Sequence, residues 1–239
     1  MKVIYFKNRN AIFFTVLVFL FCAACLLGVL SINSTPVVAQ PYYNGAQSSD
    51  GVKRVSLAIN VDWGEEFIPD ILKILERADV SATFFLTGRW TDKNPELAKT
   101  IAEKGHEIGN HAYSHKSPNA LSLEANKEEI RSTARAIKEA VGYDTVLYAP
   151  PSGEREPHVL QAAEDLGYIT VLWSLDTVDW KRPPATDILK KITSRVKSGD
   201  IILMHPTQPT LAALPEMLVF LQQNGFQAVS VSENLGILP

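Results

Sequence analysis

The chain has 239 residues, 46% of them apolar, with 23 basic against 26 acidic side chains and a formal net charge of −3. That length supports one substantial core and is short for two ordinary domains, and the acidic excess argues against nucleic acid as a partner. The only cysteines, Cys22 and Cys25, fall inside an apolar run, so the rest of the chain has no disulfide to draw on.

Lys2, Lys7 and Arg9 precede that run, which is uncharged from Ala11 to Ile32. About 22 apolar residues span a bilayer and exceed the usual core of a cleaved signal. Residues 1–32 therefore read as a cytoplasmic stub and a signal anchor over 11–32, with the remainder membrane-anchored and extracytoplasmic by the positive-inside rule. Val37, Val38 and Ala39 offer the alternative of cleavage after Ala39 and secretion. Residues 33–52 are polar, aperiodic and contain proline and glycine, which predicts a flexible tether. The folded domain is expected over 53–239.

From Lys53 onward β-rich runs alternate with helical patterns. Strands are expected at 55–61, 82–86, 146–149, 169–173, 201–204 and 228–231, with a further one around 106–110. Helices are expected at 69–78, 95–104, 123–141, 157–166, 185–196 and 211–224. This alternation predicts parallel strands with crossover helices, in a barrel or an open doubly wound sheet, and both architectures put functional groups at the carboxyl ends of strands. Polar clusters sit there. Asn60, Asp62, Glu65 and Glu66 follow the first strand, Asp176, Asp179 and Trp180 follow the strand at 169, and His205 ends the strand at 201.

Five histidines are present, and two of them, His111 and His115, are four residues apart. The spacing lets both face one divalent ion, which makes a metal hydrolase the sharp reading against two surface-loop histidines.

Five motifs in order resemble the polysaccharide deacetylases, the family with the NodB homology domain, and within it the sporulation-associated branch. The resemblance covers about 53–235. Its histidine motif stands as His111-Ala112-Tyr113-Ser114-His115, its aspartate-tryptophan motif as Asp176-Thr177-Val178-Asp179-Trp180, and its final Leu-x-His as Leu203-Met204-His205. The resemblance implies an α/β fold, a distorted parallel (β/α) barrel of about seven βα units, here preceded by one N-terminal membrane helix. It also implies a divalent metal, by preference zinc, with cobalt, manganese or nickel as alternatives, held by Asp62, His111 and His115. His205 would be the general acid, Asp176 would hold it, Trp180 and Leu203 would line the acetyl pocket, and the Ser152 backbone N–H would serve as oxyanion donor. His106, beside the motif, would support a strand end.

Two positions depart from the family pattern. The first motif reads Asn60-Val61-Asp62, which puts an amide where the catalytic base belongs, and Ala149-Pro150-Pro151-Ser152-Gly153 lacks the arginine that would steady that base. An asparagine cannot take a proton from water at neutral pH, and a guanidinium left without its carboxylate would be costly to bury, so the departures read as one coupled change. Glu65 or Glu66 are candidate substitutes for the base. The expected function is metal-dependent removal of acetyl groups from N-acetylated cell-wall polysaccharide. The alternative is a catalytically impaired glycan-binding derivative of the same fold.

Overall fold

A computed structural model describes residues 18–19, 40–46 and 50–237. Eight strands and eight α-helices follow one another over 53–235. The strands are β1 (Lys53–Val61), β2 (Thr83–Leu86), β3 (Glu107–Asn110), β4 (Leu147–Tyr148), β5 (Ile169–Thr170), β6 (Leu175–Asp176), β7 (Ile201–Met204) and β8 (Phe226–Val229). The helices are α1 (Ile68–Arg77), α2 (Gly88–Lys93), α3 (Pro95–Glu103), α4 (Leu123–Val141), α5 (Pro157–Asp165), α6 (Ala185–Thr193), α7 (Gln208–Gln223) and α8 (Val231–Leu235). The sequence pattern misses β6, α2 and α8, which are too short to display a period.

All pairings are parallel, in the order β5-β4-β3-β2-β1-β7-β6. Strand β8 runs beside the N-terminal half of β1. The expected distorted barrel of about seven βα units is corrected to a curled, open half-barrel, because β5 and β6 end the sheet and do not pair with each other. The physical reason is strand length: β4, β5 and β6 have two residues each, too few ladder bonds to complete a ring.

The gap is spanned by a strap from the stretch read as tether. Tyr42 N–H donates to Thr170 O at 2.9 Å and Tyr42 O accepts from Leu172 N–H at 2.7 Å, while Gly45 N–H donates to Gly199 O at 2.6 Å. Tyr42 to Gly45 thus reach from the end of β5 to the turn that enters β7.

Alternation along the strands sorts side chains between two faces. Val55, Leu57, Ile59 and Val61 of β1 join Phe84, Leu86, Ile202 and Met204 in the core that the apolar stripes of α1, α6 and α7 cover. On the inner face Ala58, Phe85, Leu147, Ala149 and Ile201 pack with Val231 and Leu235 of α8. That helix plugs the N-terminal end of the sheet. Its first N–H groups donate to Thr83 Oγ1 at 2.8 Å and to Glu107 Oε2 at 3.2 Å. The opposite, carboxyl end is left open.

Among the described residues no helix is long and apolar enough to cross a membrane. The expected membrane helix over 11–32, and the membrane-anchored localisation drawn from it, therefore gain no support among the described residues. The segment 11–32 lies, apart from Val18 and Phe19, outside the described residues, as does the cleavage position at Ala39.

The strap sets a test of packing. A Cβ at Gly45 would fall 2.1 Å from Asn234 Oδ1 and 2.4 Å from Asn234 O, and the backbone oxygen has nowhere to go. Gly45→Ala should cost about 1–3 kcal/mol in urea unfolding. An unchanged unfolding midpoint would show that the strap is not docked.

Candidate functional site

Strand parity delivers the site. Asn60 follows Ser56 and Ala58 on the inner face of β1, Leu203 and then His205 continue the inner face of β7, and His111 shares parity with Gly109 in β3. At the open carboxyl end, Asn60, Asp62, His111, His115, Ser152, Asp176, Trp180, Leu203 and His205 line one cavity of about 520 Å³, together with Trp63 and Trp173. The sequence motifs did not single out those last two tryptophans. Glu65 and Glu66 are exposed and do not line it.

The ladder bonds extend past the strand ends and fix the histidine loop. His111 N–H donates to Leu86 O, and Ala149 N–H donates to Asn110 O, both at 2.9 Å. The turn that follows places Ala112 and His115 at positive φ, 60° and 54°. Glu129 of α4 holds it there, accepting from Tyr113 N–H at 3.0 Å and from Ser114 N–H and Oγ–H at 2.7 Å each.

His111 is buried, with Nδ1 2.6 Å from Ala149 O. A carbonyl oxygen only accepts, so Nδ1 carries the proton and Nε2 keeps its lone pair. Burial, together with the neighbouring His115, pushes this imidazole down to about 3, which keeps it neutral. The His115 ring meets it edge to face, centroids 5.1 Å apart. His106 sits at the opposite end of β3, packed against Phe84, where Nδ1 accepts from Ala82 N–H at 3.3 Å. Burial pushes it down to about 4.

His205 is held by Asp179 and not by Asp176. Its Nδ1–H and backbone N–H donate to the two Asp179 oxygens at 2.8 and 2.6 Å, and Thr210 Oγ–H donates to the same carboxylate. Asp176 instead accepts from Val178 N–H at 2.7 Å, closing the turn in which Val178 adopts φ 58°. Both acids of the Asp-Thr-Val-Asp-Trp motif were visible in the sequence, and only the turn decides which one reaches His205. The Trp63 ring lies parallel to the His205 ring, 7° between planes and 6.0 Å between centroids. Gly64 makes that approach possible, since it has φ 85° and a Cβ there would fall 2.2 Å from Pro206 O.

Asp62 is committed elsewhere. Arg89 of α2 meets it with two prongs, Nε–H donating to Oδ1 at 2.7 Å and an Nη2–H donating to Oδ2, and Thr87 Oγ–H donates to Oδ1 at 2.8 Å. Burial pushes the Asp62 carboxyl up, but the Arg89 and Thr87 hydrogen bonds more than offset it and hold the group below its usual value. The expected divalent metal, zinc or cobalt, manganese or nickel on Asp62, His111 and His115, is corrected on this ground. The carboxylate already serves a guanidinium, and among the described residues no group of three or more His, Cys, Asp or Glu side chains could hold a metal ion.

Residues 48–171 match the family model for polysaccharide deacetylase. The chain is 35% identical over 203 residues to the Bacillus subtilis protein YlxY, a match covering 85% of this chain and 63% of that protein, so it spans under two thirds of that relative. It is 35% identical over 187 residues to a peptidoglycan-N-acetylglucosamine deacetylase of Bacillus cereus, covering 75% of this chain and 87% of the enzyme. Among solved structures it resembles a CE4 family pseudoenzyme from Bacillus anthracis with a TM-score of 0.79 at 38% identity, over 83% of this chain and 69% of that one. A variant of that pseudoenzyme with restored enzymatic activity matches with the same TM-score at 37% identity, over 83% of this chain and 72% of the variant.

The neutral, buried histidines predict a pH profile. The unfolded chain protonates both below about 6.5, whereas the folded chain resists to about 3 at His111 and 4 at His106. The unfolded state therefore binds more protons in that window, and stability falls as pH drops below 6.5. Each histidine contributes a slope of up to about 1.4 kcal/mol per pH unit. Urea midpoints should fall between pH 7 and pH 5, and His106→Gln should flatten the fall. A wild-type midpoint that does not move over this range would contradict the neutral assignment.

Proposed function

Because this chain belongs to the polysaccharide deacetylase family, we propose that it is a catalytically impaired derivative that binds acetylated glycans in the family's groove without hydrolysing them. The observation that carries this reading is the position of Asn60 beside a committed Asp62. An amide has no proton affinity at neutral pH, and the adjacent carboxylate is engaged by Arg89 and Thr87. General-base loss alone costs about 10²- to 10⁴-fold in rate. The likeness to a pseudoenzyme supports the same reading, as does the absence, among the described residues, of a cluster that could hold a metal.

Binding needs less than catalysis, and the cavity offers it. Trp180 is 52% exposed and Trp63 39% exposed, so each presents an apolar face on which the C–H face of a sugar ring can stack. Leu203 and Trp180 supply apolar surface for an acetyl methyl. The Asn60 amide both donates and accepts, which suits an acetamido group, and His111 Nε2 accepts from a hydroxyl or amide N–H. The reading does not require the sporulation-associated branch that the motifs resemble.

Titration of the full chain with N-acetylglucosamine oligomers and solubilised peptidoglycan tests this. We expect saturable heat or tryptophan quenching, weakened about 3- to 10-fold by Trp180→Ala. Acetate release should not exceed that of a His205→Ala control. Release that depends on His205 would restore the hydrolase reading, and absence of binding by the folded protein would end the glycan one.

A further inference from the structure

We infer that Arg89 is a built-in cation standing where a metal would need to approach Asp62, so that the chain excludes the ion by its own side chain as well as lacking a base. The position of Arg89 is not accidental to one rotamer. Thr87 occupies the residue before α2, directly after β2, Gly88 N–H donates to Ala112 O at 3.0 Å and Arg89 N–H donates to Tyr113 O at 3.1 Å. Further along the helix Asp92 accepts from Tyr113 Oη–H at 2.8 Å. The first turn of α2 is thus stapled to the loop that carries His111 and His115, and the next side chain from that staple is aimed at Asp62.

Charge makes the occupancy exclusive. A guanidinium does not lose its proton at any physiological pH, so Asp62 is neutralised permanently and not only in acid or in base. Asp62 Oδ1 already accepts from Arg89 and Thr87, and Oδ2 accepts from Arg89. A divalent cation entering there would have to break a two-pronged, charge-assisted pair and then sit beside the displaced positive charge. His111 and His115 alone provide two imidazole rings and no compensating anion. Glu129, the other acid whose charge reaches Arg89, is bound to the histidine loop and to Lys116, and it does not line the cavity.

The test is zinc chloride titrated into the full chain, read as bound metal by calorimetry and by mass spectrometry after dialysis. Arg89→Ala should bind zinc about 10- to 100-fold more tightly than the wild type, the factor expected from removing a charged hydrogen-bonded competitor. Adding Asp62→Asn should abolish the gain. Circular dichroism checks folding, and Arg89→Met, which keeps the apolar stem, replaces Arg89→Ala if the latter is unstable. Equal affinities in wild type and variant, or no uptake by a folded Arg89 variant, overturn the inference, as does a gain that survives Asp62→Asn. Glycan binding is measured separately, so failure here leaves that reading standing.

Discussion

A carboxylate taken wholly out of water has to be met by donors, and the Asp179 side chain, fully buried, is met by three: the His205 ring, the His205 backbone and the Thr210 hydroxyl. Much of the open end of the half-barrel follows from that requirement. Thr210 belongs to the first turn of α7, and its backbone N–H is capped by Thr207 at 3.1 Å. One buried charge therefore fixes the end of β7, the entry of α7 and the azimuth of the imidazole. The backbone bears part of the cost on the other side. Val178, a β-branched residue, is forced to φ 58°, a conformation worth about 1–3 kcal/mol of strain, between an aspartate that closes its turn and the Thr177 N–H and Oγ–H bonds to Leu203 O.

The site that results is well organised and chemically muted. His111 is locked into one tautomer by a carbonyl and kept neutral by burial, His205 is oriented by its carboxylate, and the aromatic walls are in place. What a hydrolase would add is a group of high proton affinity facing the scissile carbonyl and a strong Lewis acid beside it. The first is an amide in Asn60 and the second is displaced by a guanidinium. Orientation without reactivity is what a binding groove requires, since preorganised polar groups limit the entropy lost on association.

Most of the chain's order was legible because periodicity reports burial. The regular helices and the longer strands appear within a few residues of their expected bounds, and strand parity alone puts Asn60, Leu203 and His205 on one face. Arg89 was not legible. It lies in a six-residue helix that cannot show a 3.6-residue period, and its role depends on a loop more than twenty residues downstream that docks α2 by backbone bonds. Asp179 was visible as a residue but not as the partner of His205, because the turn through left-handed Val178 ties Asp176 to its own backbone and leaves Asp179 against the imidazole. The curl and opening of the sheet depend on two-residue strands, and composition says little about elements that short.

The strap at Tyr42–Ala46 has a consequence beyond packing. A half-barrel, unlike a closed one, has two free edges, and an unprotected strand edge is a template for a strand from another molecule. Tyr42 pairs beside Val171 at one margin and Asn44 beside Asp200 near the other, so the chain's own N-terminal stretch fills both positions. Shielding of those edges is then the task of Tyr42–Ala46, residues that do not line the cavity. Selection on those residues would track crowding and self-association, independently of whatever ligand the groove holds.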